Sequence, residues 1–162
     1  PMIVPLIITA AGMFFFYARI NLVYTFTGVI LAHVALATPF VVITVTATLV
    51  GFDMNMVKAA QSLGAKPMRT FFKVIMPLIL PGIISGALFA FITSFDEVVI
   101  VMFMASIDQL TIPKQMWAGI RQEISPVILC MATCLVVLSI VLLTTVELLR
   151  RRSEKLRGIK AR

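Results

Sequence analysis

The chain has 162 residues, 60% of them hydrophobic, with a mean hydropathy of +1.07. That leaves too little polar surface to cover a water-soluble globule, so the bilayer is the expected solvent. The net charge of +7 could suggest a nucleic-acid binder, but the charges are distributed by membrane topology and not along one face, which argues against it.

Four runs carry no Asp, Glu, Lys or Arg: 1–18, 20–52, 74–95 and 124–146. Each approaches or exceeds the roughly 20 residues that cross a hydrocarbon core as a helix. The first span is expected from Met2 to about Tyr17, with Pro5 near its start and Tyr17 at the interface. A hairpin at Arg19-Ile20-Asn21 turns the chain into a second span over about Thr25 to Leu49. The second run is longer than one span needs, so part of it is expected in the interface. Pro39 removes a backbone donor mid-span and predicts a kink, with neighbouring spans or Thr38 available to satisfy the freed carbonyl.

Between the second and third spans lies a polar loop. Asn55 to Leu63 reads as a short helix ended by Gly64 in a C-cap position, and a second short helix follows Pro67, whose fixed φ suits a first turn. Met54, Val57, Ala60, Gln61 and Leu63 give an incomplete apolar face, and a helix this short is marginal alone, so the loop needs a partner surface. Pro77 and Pro81 open the third span, along which Gly82, Gly86 and Ala90 recur every four residues. Small residues at that spacing admit close helix approach, either within the subunit or between subunits. The segment Asp96 to Glu123, with Pro113, Trp117 and Gly119, is too charged to span and too apolar for a free linker; a re-entrant or interfacial element is expected. The last span, Ile124 to Val146, passes into a basic tail at 150–162 that reads as a stop-transfer and lipid-headgroup anchor.

Orientation follows from the basic residues. Lys58, Lys66, Arg69 and Lys73 oppose Asp53 in the loop, and Arg150, Arg151, Arg152, Lys155, Arg157, Lys160 and Arg162 oppose Glu154 in the tail, so both segments are expected to be cytoplasmic. The segment Asp96 to Glu123 is then external. Arg19 is external too, a single exception to the rule.

Catalytic signatures are sparse. No G-x-x-x-x-G-K-[ST] loop occurs, so energy from ATP would have to come through another subunit. Cys130 and Cys134, four apart on one helix face, lack the further ligands of a zinc site and read as small buried residues. His33, inside an apolar run, reads as a packed, hydrogen-bonded histidine in preference to a proton relay or ligand. Asp96 and Glu97 differ, because ionisable groups at membrane depth are costly and usually face a cavity or partner. They either cap the outer end of the third span or place a carboxylate at a translocation path, where Coulomb attraction would favour a cation.

The stretch Lys58-Ala59-Ala60-Gln61-Ser62-Leu63-Gly64-Ala65, with nine residues between the glycine and Val74-Ile75-Met76-Pro77, resembles the "EAA" cytoplasmic loop of bacterial ABC importer permeases. From Pro5 to about Leu149 the chain resembles the C-terminal two thirds of the spermidine/putrescine-type permease, the polyamine branch being carried by Leu80-Pro81-Gly82-Ile83, Ser94-Phe95-Asp96-Glu97 and Phe103. One departure is Lys58, which stands where the family has the glutamate that faces the ATPase; Ala59, Ala60 and Gly64 still permit close docking.

The resemblance implies an all-α polytopic transmembrane bundle of the type I ABC importer permease kind, with four spans and a cytoplasmic coupling helix-turn-helix over 51–76. Residues 1–162 would form one permease domain, with four spans visible as the last of about six, since the chain starts at Pro1 without an initiator Met or signal-peptide pattern. It implies a multi-pass protein of the bacterial inner membrane that moves polyamines by alternating access. Its partners would be ABC ATPase subunits, a second permease subunit, a periplasmic solute-binding protein and lipid. No cofactor would bind this chain; ATP and Mg would sit in the ATPase, so the chain itself is expected not to be an enzyme. Coupling residues would be Lys58, Ala59, Ala60, Leu63, Gly64, Ala65 and Pro77, and the substrate path would involve Phe95, Asp96 and Glu97. A permease for another organic solute or ferric iron, and a non-transport scaffold or receptor, stand as alternatives.

Overall fold

The computed structural model describes residues 3–122 and 125–156. Met2, Glu123, Ile124, Arg157, Lys160 and Arg162, which figure in the expectations above, lie outside the described residues. Among the described residues the regular elements are helices: α1 (Leu6–Arg19), α2 (Phe26–Val50), α3 (Asn55–Ser62), α4 (Pro67–Thr70), a π-helical turn (Phe71–Ile75), α5 (Met76–Phe95), α6 (Val99–Met104), α7 (Ile112–Gln122) and α8 (Pro126–Leu156).

Among the described residues three helical stretches are long and apolar enough to cross a membrane: Phe26–Val50, Pro67–Phe95 and Pro126–Thr145. The chain is therefore a multi-pass membrane protein. The first expected span is shorter than the others. Pro5 has no N–H, and its carbonyl accepts from Ile8 and Thr9, so it sets the start of a 14-residue helix about 21 Å long.

The hairpin into α2 is tightly specified. Asn21 and Tyr24 take left-handed backbone angles (φ 55 and 61), and Thr25 caps α2 by accepting from the Gly28 amide at 3.0 Å while donating to the Leu22 carbonyl at 2.7 Å. A Cβ at Gly28 would collide with that same Leu22 carbonyl. Further along α2, the Thr38 hydroxyl donates to Val34 and not to the Ala35 carbonyl that Pro39 leaves without its i+4 donor, so Thr38 does not make the compensation anticipated for it.

The main seam is α2 against α5. Gly82 and Gly86 are buried in it; a Cβ at Gly82 would strike the Thr48 side chain, and one at Gly86 would meet Thr44 and come within 3.1 Å of the Val41 Cα. The small-residue stripe thus packs spans within this subunit, with Ala90 half-buried beyond it. Thr44 and Thr48 satisfy their hydroxyls on their own helix, at the Phe40 and Thr44 carbonyls, so the polar atoms at the seam cost little. A second core lies where α1, α2 and α6 meet: Ala10, Ala32, Leu36, Ile100 and Met104 are buried, with Phe14, Tyr17 and Phe103 against them.

At the last span the apolar stretch Pro126–Thr145 ends where expected, and the helix continues beyond it to Leu156, since Glu-, Leu- and Arg-rich sequence favours helix as well as the span does. One expectation is corrected there, the burial of the two cysteines. At 31 residues it is about 46 Å long, more than a hydrocarbon core needs. Cys130 and Cys134 are exposed, not buried, because α8 lies at the edge of the bundle and no residue of its apolar window is buried. Exposed apolar side chains there cost little beside lipid tails of equal apolarity.

Candidate functional site

The loop between α2 and α5 forms a compact hairpin. Gly64 sits at φ 79, the Gly64 amide donates to Gln61 at 2.9 Å, and the Ala65 amide donates to Ala60 at 3.0 Å. These two bonds close a Schellman motif, so the sequence assignment of Gly64 to the α3 C-cap region holds at atomic detail. At the other end the Asp53 carboxylate accepts from the Asn55 amide at 2.9 Å. Val57, Ala60 and Ala65 turn partly inward and Thr70 is buried, while Lys58, Ala59, Gln61, Gly64 and Met54 are exposed and Leu63 is 89% exposed. Of the residues the sequence marked for coupling, Lys58, Ala59, Leu63 and Gly64 are exposed, while Ala60 and Ala65 are half-buried.

The second short helix is not separate from the third span. Pro67–Thr70, the π turn and Met76–Phe95 form one continuous helical run, in which the Met76 amide reaches back five residues to Phe71. A proline ring clashes with the carbonyl four residues before it, which for Pro77 is Lys73; widening the turn at 71–75 relieves that clash without breaking the helix. Pro77 is half-buried just after this turn, and the hairpin runs into α5 without a break in the helix.

At the far end of α5 the two acidic neighbours part company. Asp96 is the C-cap residue (φ −92, ψ 4) and is exposed. Glu97 is only 6% exposed and its carboxylate accepts from the Ile100 amide at 2.7 Å. One turn back on α5, Ser94 Oγ lies 2.9 Å from His33 Nδ1 on α2, a pairing across 61 positions. His33 is thus hydrogen-bonded, as expected of a packed histidine.

Two cavities flank this end. One of about 860 Å³ lies between α5, α7 and α8, with walls that include Phe91, Phe95, Trp117 and Leu135 and with Asp96 at its edge. Phe91 and Phe95 stack with centroids 5.4 Å apart, and the Arg121 guanidinium lies 5.6 Å from the Trp117 ring. The other, of about 560 Å³, is lined by His33, Ser94, Phe95 and Glu97 among apolar residues. Phe95 borders both. The sequence triplet is thereby divided: Asp96 lines the first cavity and Glu97 the second, with only Phe95 common to both. Sequence reasoning did not bring His33 to Ser94, because residues so far apart meet only through the α2–α5 seam. Among the described residues no His, Cys, Asp or Glu group is arranged to hold a metal.

Residues 1–155 match the model of the family described as binding-protein-dependent transport system inner membrane component. The chain is 31% identical over 152 residues to the spermidine/putrescine transport system permease protein PotC of Haemophilus influenzae, covering 94% of this chain and 59% of that protein. It is 30% identical over 154 residues to PotC of Escherichia coli, covering 95% of this chain and 58% of the relative. With the putrescine transport system permease protein PotI of Escherichia coli it shares 37% identity over 103 residues, 64% of this chain and 37% of that one. The chain spans about three fifths of the length of the PotC relatives it matches.

Proposed function

This chain belongs to the family of binding-protein-dependent transport system inner membrane components, and from that premise we propose that it is a transmembrane permease subunit of an ATP-driven importer in the bacterial inner membrane, with polyamines as cargo. The observation that carries the reading is the exposed, glycine-locked hairpin at 51–76, fused through the π turn to a membrane-length helix. A surface so built transmits force, because a partner that pulls on Leu63 and Gly64 moves α5 as one body. The partners are two copies of an ATPase, which bind ATP and Mg, a second permease subunit, and a soluble binding protein on the external side. The loop at 51–76 and the basic tail are cytoplasmic; Asp96 and the α6–α7 region are external.

Similarity to the two spermidine/putrescine permeases and to the putrescine permease supports an amine cargo. So does the chemistry at the end of α5. A polyamine combines methylene stretches with charged ammonium ends; the apolar wall of Phe91, Phe95 and Trp117 suits the former and the Asp96 carboxylate the latter. Asp96 is exposed and unburdened by the capping contact that Glu97 makes, so Asp96 is the residue that meets cargo. The test is uptake of labelled putrescine or spermidine into vesicles by the complete transporter carrying Asp96→Asn at matched complex levels. Slowed uptake with normal ATPase assembly supports the assignment; wild-type uptake makes Asp96 a plain helix cap.

A further inference from the structure

Helix α6 has six residues, too few to persist without tertiary support, yet Ile100, Val101 and Met104 on it are fully buried, Ile100 and Met104 in one cluster with residues of α1 and α2. Its C-terminal end is tied down by the Tyr24 amide, which donates to the Met104 carbonyl at 2.9 Å, and by Lys114 Nζ, which donates to the Ala105 carbonyl at 3.3 Å. Gln109 Nε2 in turn donates to the Tyr24 carbonyl at 3.2 Å, closing the strap to the α1–α2 hairpin. Its N-terminal end lacks the usual device. The N-cap residue is Val98, which has no side-chain acceptor, so the orphan amides of the first turn must find one elsewhere. Glu97, one position earlier, supplies it: its buried carboxylate takes the Ile100 amide at 2.7 Å.

We propose that Glu97 is a positioning residue that locks α6 into the α1–α2 contact, and that it does not bind cargo. A buried amide left without an acceptor is expensive, and here it would belong to a residue with no exposure at all. A glutamine retains a side-chain carbonyl at the same reach and can accept from the Ile100 amide, while it removes the charge that would attract an ammonium group. An alanine removes both. The two variants therefore separate the roles.

The inference rests on the transport reading only for its uptake readout; hydrogen exchange of the α6 amides in the assembled complex in lipid nanodiscs provides a second readout independent of cargo. Glu97→Gln is expected to keep α6 protection and to leave both KM and maximal rate of putrescine uptake within threefold of wild type. Glu97→Ala is expected to speed exchange across 99–104 at least tenfold and to lower the maximal rate with KM changed less than threefold. A Glu97→Gln complex whose KM or maximal rate shifts more than threefold with α6 still protected would overturn the proposal in favour of a charge-dependent role. Unchanged α6 exchange in Glu97→Ala would overturn it as well. Should Glu97→Ala fail to assemble, Glu97→Gln alone decides by the same limits. If the wild-type complex moves no amine, the transport reading fails, and the exchange comparison still judges Glu97.

Discussion

Replacing Gly64 tests whether backbone geometry, and not bulk, makes the coupling hairpin. Gly64 has φ 79, and a Cβ built there finds nothing within 4 Å, so any penalty of substitution comes from the left-handed backbone alone. An L-residue in that region costs about 1–2 kcal/mol, a factor of about 5–30 in an equilibrium. β-branched valine is disfavoured further, whereas asparagine tolerates the region. If the hairpin docks to an ATPase as proposed above, that cost falls on affinity for the ATPase. The expected order is Gly64→Asn near wild type, Gly64→Ala weaker by about 5–30-fold, and Gly64→Val weaker still, with ATP hydrolysis uncoupled from transport. Binding of the ATPase subunit to the permease in nanodiscs measures the first effect and vesicle uptake per ATP hydrolysed the second. Asparagine as damaging as valine, or valine at wild-type affinity, would refute the reasoning.

The α2–α5 seam makes a paired prediction: Gly82→Ala should destabilise by about 1–3 kcal/mol and be poorly rescued by Thr48→Ala, which removes the hydroxyl but leaves the Thr48 Cβ 2.8 Å and the Thr44 carbonyl 3.2 Å from the new methyl. Gly86→Ala should be rescued further by Thr44→Ala, since the contacts that remain are looser, the Val41 Cα at 3.1 Å and the Thr44 Cβ at 3.6 Å; thermal unfolding of the purified complex reads both. Topology is checked by single cysteines at Ser62 and Asp108, both exposed, in a background with the exposed Cys130 and Cys134 replaced by serine. They should react with an impermeant thiol reagent from opposite faces of the membrane, and labelling from one face would remove the orientation.

Spans and turns were legible in the sequence because their causes are local. Charge-free runs gave the helices, Thr25 and Gly64 marked termini that the structure places within a residue, and the Gly82–Gly86 stripe announced a close seam without saying between which helices. The π turn was not legible: Pro77 and Pro81 looked like the opening of a new helix, whereas a widened turn lets one helix run through them. The fates of Asp96 and Glu97 were hidden for a related reason. Helical geometry turns neighbours about 100° apart, but α5 ends at Phe95, and the chain bends so that Asp96 stays out while Glu97 folds in to cap α6. His33 and Ser94 met through tertiary packing alone, which no local pattern encodes.

Reconstituting the complete transporter in proteoliposomes, with the binding protein and labelled putrescine outside and ATP inside, tests the central claim most directly. The account predicts ATP-dependent accumulation of putrescine that is slowed by Asp96→Asn and uncoupled from hydrolysis by Gly64→Val. A wild-type complex that hydrolyses ATP in response to loaded binding protein yet accumulates no putrescine or spermidine would contradict it.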